Sequence, residues 1–276
     1  MTPPMTPPAD LRAASFIVTL YGDVAEPRGG LLWMGTVVEI CARAGISETR
    51  ARTAVSRLMA GGRLEGSRAG RRSYYRLTPA ARAEFAAAAA LIFDPPPPAD
   101  RWLIAALGEG GAPAGFAPLG PGLALGPERA GAPPALFRAE AVGGTSGGGD
   151  LRALAARLWD LERPATAYAA FLDACPDAPP PGEAEAALLA RLMLVHRYRA
   201  AALSDPQLPA AALPPDWPGG PARRRFVGQY LALSEAADSH VARAFLDLDG
   251  PLPRSTAAVR ARLRALQAEA ERAPAA

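Results

Sequence analysis

Between Gly35 and Leu77 the chain carries two short amphipathic helices that meet at a glycine, followed at once by an arginine-tipped hairpin. Few folds accommodate that order within so short a stretch. Apolar periodicity predicts helices over Thr36–Arg43 and Ser47–Ala60, with the turn at Gly45 and Ser47 placed to accept the free amide hydrogens of the second helix. On that second helix Ala51, Ala54, Val55 and Leu58 share one face at helical spacing. The opposite face is left with Thr49, Thr53, Ser56 and Arg57, flanked by Arg50 and Arg52. Hydroxyls allow close approach to a phosphate backbone, and the planar guanidinium fork can bond guanine bidentately in the major groove. A face of this composition suits duplex DNA; a plain solvated helix face is the alternative.

The hairpin is expected from RLEGSR and RSYYRL alternating around Gly70, which puts Arg68, Arg71 and Arg72 at or beside its tip. Guanidinium groups there could follow the phosphates or enter the adjacent minor groove. Tyr74 and Tyr75 must point to opposite faces of one strand, so one belongs to the core and the other is free. Thr78-Pro79 has the form of an N-cap and first residue of a helix running to about Phe93.

Charge follows the same boundaries. Residues 46–77 hold eight Arg against Glu48 and Glu65, a local charge of +6 in a chain of +3, so the remainder sums to −3. A localised basic patch implies steeply salt-dependent binding to a polyanion, and the moderate total charge argues against a histone-like coat. All thirty basic residues are Arg. The absence of Lys excludes Schiff-base chemistry, pyridoxal phosphate attachment and a P-loop lysine. Cys41 and Cys175 are isolated, with no CxxC and no His at ligand spacing, so neither a metal site nor a disulfide framework is expected. The longest apolar run, Phe85–Phe93, is too short to span a bilayer, and Met1–Ala9 lacks a basic leader region. A cytoplasmic protein is the expectation.

Proline runs divide the 276 residues into three segments: 1–94, 95–178 and 179–276. In the middle segment strands are expected at Arg101–Leu107, after the turn that opens Gly120–Leu125, and at Leu136–Val142; the helices Leu151–Asp160 and Thr166–Ala174 follow, anchored by Trp159, Tyr168 and Phe171. The last segment is predicted all-helical, over Glu183–Ala202, Arg223–Leu248 and Ser255–Ala273, with a proline-rich loop from Asp205 to Pro221 that carries Trp217. The fold class is therefore α+β, mostly α.

With those segments in place the chain resembles the PaaX family, the transcriptional repressors of bacterial phenylacetic acid degradation operons. The residues carrying the resemblance are FIVTLYGD at Phe16–Asp23 with PRGG at Pro27–Gly30, RTAVSRL at Arg52–Leu58, GRRSYYRLT at Gly70–Thr78, GFAPLGPGL at Gly115–Leu123 and LWDL at Leu158–Leu161. VHRYR at Val195–Arg199 and LPPDWPG at Leu213–Gly219 add support. The resemblance implies an N-terminal winged helix-turn-helix, a central ferredoxin-like (Cas2-like) domain and a helical C-terminal domain for dimerisation or effector binding. It further implies a homodimer on a palindromic DNA operator, no catalytic activity, no cofactor, and release by phenylacetyl-coenzyme A or a related acyl-coenzyme A thioester. The chain departs from that pattern where Gly108–Ala114 replaces the first helix of the central domain, leaving a sheet face to be covered by another element or used for association.

For the effector, Arg197 and Arg199 could hold the thioester's phosphates, with His196 and Tyr198 beside them and Trp217 stacked on an aromatic acyl group or the adenine. The competing reading makes all five structural, with His196 and Tyr198 satisfying loop carbonyls and Trp217 plugging the helical core. The apolar faces Leu188–Val195 and Leu231–Ala236 are expected to form a dimer interface. Gly144–Gly148 formally fits G-x-S-x-G, with His196 and His240 downstream, which gives a thioester hydrolase using Ser146 as one alternative function; a DNA-binding regulator with a different effector or none is the other.

Overall fold

The computed structural model describes residues 11–97, 99–107, 111–112, 115–128, 132, 134–140, 147–175 and 183–272. It is α+β and mostly helical, and among the described residues no helix is long and apolar enough to cross a membrane. The chain divides into two compact units. The first comprises Met1–Asp94, Phe171–Arg199 and Pro221–Ala276, and the second Pro95–Ala170 and Ala200–Gly220.

The first unit begins with α1 (Ala13–Leu20), which runs through a π-helical turn, Tyr21–Ala25, into a 3-10 turn, Glu26–Arg28. No side chain caps α1. Burial holds it instead, since Phe16, Ile17, Leu20, Tyr21 and Val24 are sealed from solvent, and α1 lies against α3 (Glu48–Ala60). A two-residue strand β1 (Leu32–Trp33) leads into α2 (Met34–Arg43). That helix ends where Gly45 takes φ +74°, a conformation nearly free of strain only for glycine, so that Gly45 N–H donates to Ala42 O at 3.0 Å and Ile46 N–H to Cys41 O at 2.8 Å. The apolar Ile46 is buried, and the next residue, Ser47, caps α3 through its hydroxyl, which accepts from Arg50 N–H at 3.4 Å. Gly-Ile-Ser thus closes one helix and opens the next.

The hairpin β2 (Leu64–Ala69) and β3 (Arg72–Leu77) is completed by β1 in a three-stranded antiparallel sheet of order β1-β3-β2. Its register opposes Ser67 to Tyr74 and Ala69 to Arg72. Tyr74 is buried and Tyr75 half-buried, the alternation the pleat requires. α4 (Pro79–Phe93) starts at Thr78, whose hydroxyl accepts from Ala81 N–H at 3.3 Å and donates to Gly62 O at 2.7 Å. Cys41 lies in this core, where burial pushes its thiol up to about 12. Cys175 is buried as well. Native protein at about pH 8 is therefore expected to resist iodoacetamide at both thiols and to react only after unfolding, by mass spectrometry.

Three long helices complete this unit: most of α7 (Ala184–Ala202), α8 (Gly219–Ala244) from Pro221 onward, and α9 (Ala257–Arg272). α8 starts four residues ahead of the expected Arg223 because Pro221 falls in its first turn, where a missing N–H costs nothing. It stops short of Leu248 because Leu246 pairs with Pro251 around a turn held by Asp247, whose carboxylate accepts from Asp249 N–H at 2.8 Å.

These helices are tied to the N-terminal elements by buried charge. Arg191 of α7, 1% exposed, donates to Asp23 at 3.0 Å and to Asp238 of α8 at 2.7 Å. Arg28 also reaches Asp238 at 2.7 Å, and its other N–H groups donate to the carbonyls of Val24, Pro253 and Arg254. Tyr230 donates to Asp23 at 2.7 Å, while Arg262 of α9 donates to the same carboxylate at 3.2 Å with its guanidinium 3.7 Å from the Phe93 ring centre. Burial works against the charge of Arg191, but Asp23 and Asp238 outweigh it and hold the guanidinium above the ordinary arginine range. Burial and then Asp23 push the Tyr230 hydroxyl up to about 12, against the pull of Arg262 and Arg191.

The expectation that Leu188–Val195 forms a dimer interface is corrected here. Leu188, Leu192, Met193 and Leu194 are fully buried within the chain's own core, and of the segment's leucines only Leu189 is half-exposed. On α8, Leu233 is likewise buried.

The second unit is built on a four-stranded sheet of order β5-β6-β4-β7, from β4 (Trp102–Ala106), β5 (Ala117–Gly120), β6 (Leu123–Pro127) and β7 (Phe137–Ala139), with all neighbours antiparallel. β5 was not expected from sequence, because Pro118 reads as a strand breaker; it is tolerated because β5 is an edge. Among the described residues no helix joins β4 to β5 or β6 to β7. One sheet face is covered by α5 (Gly147–Leu158) and the loop around Leu208, Ala212 and Trp217, which pack on Trp102, Ile104 and Leu125. The other gathers Leu103, Ala105, Phe116 and Ala124 with Leu107, Ala112 and Ala132 from the short connections. α6 (Glu162–Ala174) begins after Asp160, whose carboxylate accepts from Arg163 N–H at 3.1 Å.

Candidate nucleic-acid interface

The Gly45 turn and the Ser47 cap fix which way α3 faces. Ala51, Ala54 and Val55 are buried and Leu58 is half-buried, so the helix is anchored by the side that periodicity assigned to the core. Thr49, Arg50, Arg52, Thr53, Ser56 and Arg57 are all exposed. Arg68, Arg71 and Arg72 are exposed on the hairpin, where Gly70 and Arg71 form the two-residue connection between β2 and β3. Gly70 takes φ +57° there, the geometry that two-residue hairpin loops demand of their first residue.

The eight arginines of this segment are not equivalent. Arg52 is paired with Glu48 at 2.7 Å, Arg76 with Glu65 at 2.7 Å, and Arg63 with Glu84. Arg50 donates to the neutral carbonyl of Leu11 at 3.1 Å, and Arg72 lies over the Trp33 ring, 4.9 Å from its centre. Arg57, Arg68 and Arg71 have no hydrogen bond or ion pair to any described residue. Exposed pairs such as Arg52–Glu48 contribute only about 0–1 kcal/mol, so a phosphate can replace the glutamate at little cost. A helix face of hydroxyls with one unpartnered arginine thus stands beside a hairpin tip with two more. The arrangement supplies donors and positive charge, and no acid–base pair, to whatever approaches it.

The residues considered for an effector fall differently. His196 is half-buried, with Nδ1 3.0 Å from the Thr19 hydroxyl and its ring edge-on to Phe16. Arg197 donates to Ala174 O at 3.0 Å, and Arg199 to the Ser15 hydroxyl at 3.1 Å. Tyr198 is buried and stacks on Phe226 at 4.2 Å between ring centres. These four lie on α7 in the first unit; Trp217 belongs to the second, where it meets Tyr168 edge-on at 6.2 Å. Ser146 lies outside the described residues. His240 is half-buried against Phe245.

The residues that sequence reasoning passed over are Asp23, Arg28, Arg191, Tyr230, Asp238 and Arg262. A signal for two of them was present: Asp23 stands at the end of FIVTLYGDV and Arg191 inside ALLARLMLV, single charges in apolar runs whose burial demands partners.

A family model described as PaaX-like protein matches residues 12–81, which span α1, the helix pair and the hairpin. A second, the PaaX-like protein C-terminal domain, matches residues 159–243, which include Arg191, Tyr230 and Asp238. The transcriptional repressor PaaX of Escherichia coli (strain K12) is 30% identical over 282 residues, covering 87% of this chain and 86% of that protein. Among solved structures, the uncharacterized protein Rv0674 from Mycobacterium tuberculosis is similar over 85% of this chain and 98% of its own, at 21% identity and a TM-score of 0.47. On its identity and extent of match to the Escherichia coli repressor, together with the two family models, this chain belongs to the PaaX family.

Proposed function

We propose that this protein is a DNA-binding transcriptional repressor of an aromatic-acid catabolic operon, released from its operator by an aryl-coenzyme A thioester. The observation that carries the DNA-binding reading is the exposed face of α3 together with the unpartnered Arg57, Arg68 and Arg71. In this reading α2 and α3 are a helix-turn-helix with α3 in the major groove, and the β2–β3 hairpin is the wing that follows the phosphates. The second unit is read as a reduced ferredoxin-like domain. Its strands, numbered along the chain, lie in the order 4-1-3-2 with antiparallel neighbours, which supports that reading. One recognition helix reads few base pairs, so a homodimer on a palindrome is the economical arrangement.

The effector is proposed to engage α7 at Arg197 and Arg199, with His196 and Tyr198 beside them. Both arginines now donate to neutral acceptors, and burial holds both below the ordinary arginine range. A phosphate would be a stronger acceptor than either a carbonyl or a hydroxyl.

Fluorescence anisotropy on DNA from the gene's own upstream region, at two salt concentrations and with or without phenylacetyl-coenzyme A, tests both parts. Tight, salt-sensitive binding that the thioester abolishes is the expected result. Binding that ignores the thioester removes the effector assignment, and no binding at low salt removes the DNA-binding one. Within the same assay Arg71→Ala is expected to weaken all sequences alike and to lower the salt slope by about 1. A loss confined to one sequence would contradict the wing.

A further inference from the structure

Between α8 and α9 lies a cleft of about 360 Å³, within the range of small-molecule sites. Leu231, Val259 and Leu263 give it apolar walls, and Asp238 stands among its lining residues. The Asp238 side chain is 8% exposed. Its Oδ1 accepts from both Arg28 and Arg191, whereas Oδ2 accepts from no described residue and is not sealed away from the cleft. A carboxylate whose side chain is 8% exposed, with one oxygen left without a protein donor, can take a donor that arrives from the cleft.

The neighbouring charges narrow what that donor can be. Glu235 and Arg254, also in the lining, are paired with each other at 3.3 Å, so the cleft's exposed cation and anion offset each other and the lining favours neither sign of ligand charge. Arg28 and Arg191 already crowd Asp238 with positive charge, so a third cation would meet repulsion. We propose that this cleft is a binding site for a compact, uncharged amphipathic molecule. An amide N–H or hydroxyl of the ligand donates to Asp238 Oδ2, and its ring or chain lies on Leu231, Val259 and Leu263. The proposal does not depend on DNA binding, and neither does its test.

The probe is benzamide, titrated into the full chain and followed by protein NMR shifts, with benzoate and benzamidine as anionic and cationic partners of the same shape. Saturable benzamide binding is expected, with benzoate and benzamidine each about tenfold weaker, the equivalent of one charge-assisted hydrogen bond. Asp238→Asn also disturbs the buried pairing and can fail to fold. Leu263→Trp instead fills the cleft from its half-exposed wall and leaves the carboxylate in place. That variant should keep its melting temperature and lose benzamide. Unsaturable shifts with wild type, equal binding of either charged probe, or unchanged benzamide binding in Leu263→Trp would each overturn the assignment.

Discussion

Replacing Arg191 with methionine is expected to lower stability by about 3–5 kcal/mol, measured as a shift in the urea midpoint at constant slope. Methionine nearly matches the volume of arginine, so the loss is electrostatic rather than a cavity. Without the guanidinium, Asp23 and Asp238 lose the cation that bridges them at 3.0 and 2.7 Å, in a site where neither is more than 6% exposed. Arg28 and Arg262 remain, one on each carboxylate, but the bridge between α7 and the segment after α1 is gone. The control is Arg43→Ala, which removes an exposed pair with Glu185 at 2.6 Å and should cost about 0–1 kcal/mol. A loss below about 1 kcal/mol for Arg191→Met would mean that the remaining arginines compensate, and that the network is not one cooperative unit. The double variant Asp23→Asn with Arg191→Met should cost less than the sum of the single losses, because the two residues share an interaction.

How much of this was legible in the sequence depends on how local each cause is. The α2–α3 turn and the start of α4 rest on neighbours in the chain, Gly45 with Ser47 and Thr78 with Pro79, and both stand where their residues place them. The exposed face of α3 follows from helical spacing alone. α1 was missed for the opposite reason: AASFIVTL has no polar period and no capping side chain, and it is held as a helix by the burial of Phe16, Ile17, Thr19 and Leu20. β5 was hidden by Pro118, since only the sheet order reveals that its strand is an edge. The charge network joins residues 168 and 47 positions apart in sequence at Arg191, and no periodicity reports such a pairing. The Leu188–Val195 surface was misjudged because a helix buried all round and a helix awaiting a partner have the same composition; only the packing tells them apart.

At the interface itself, the largest single effect is expected at Arg57. Arg57→Ala should weaken operator binding by about 1–3 kcal/mol and relax selection at one base pair, as for an arginine that bonds a base edge. The structure gives reason to single it out from its helix neighbours. Arg50 is occupied by Leu11 O and Arg52 by Glu48, whereas Arg57 is exposed, unpartnered among the described residues, and on the face shared with Thr53 and Ser56. Its removal leaves the core side of α3 untouched, so the melting temperature should not move. The contrast with Arg71→Ala separates a base contact from a phosphate contact, because the first changes which sequence is preferred and the second changes only how tightly, and how salt-dependently, every sequence is held. Competition anisotropy against operators altered one base pair at a time reads the difference. If Arg57→Ala weakens every competitor by the same factor, Arg57 is a backbone contact, and base reading must fall to the hydroxyls of Thr49, Thr53 and Ser56.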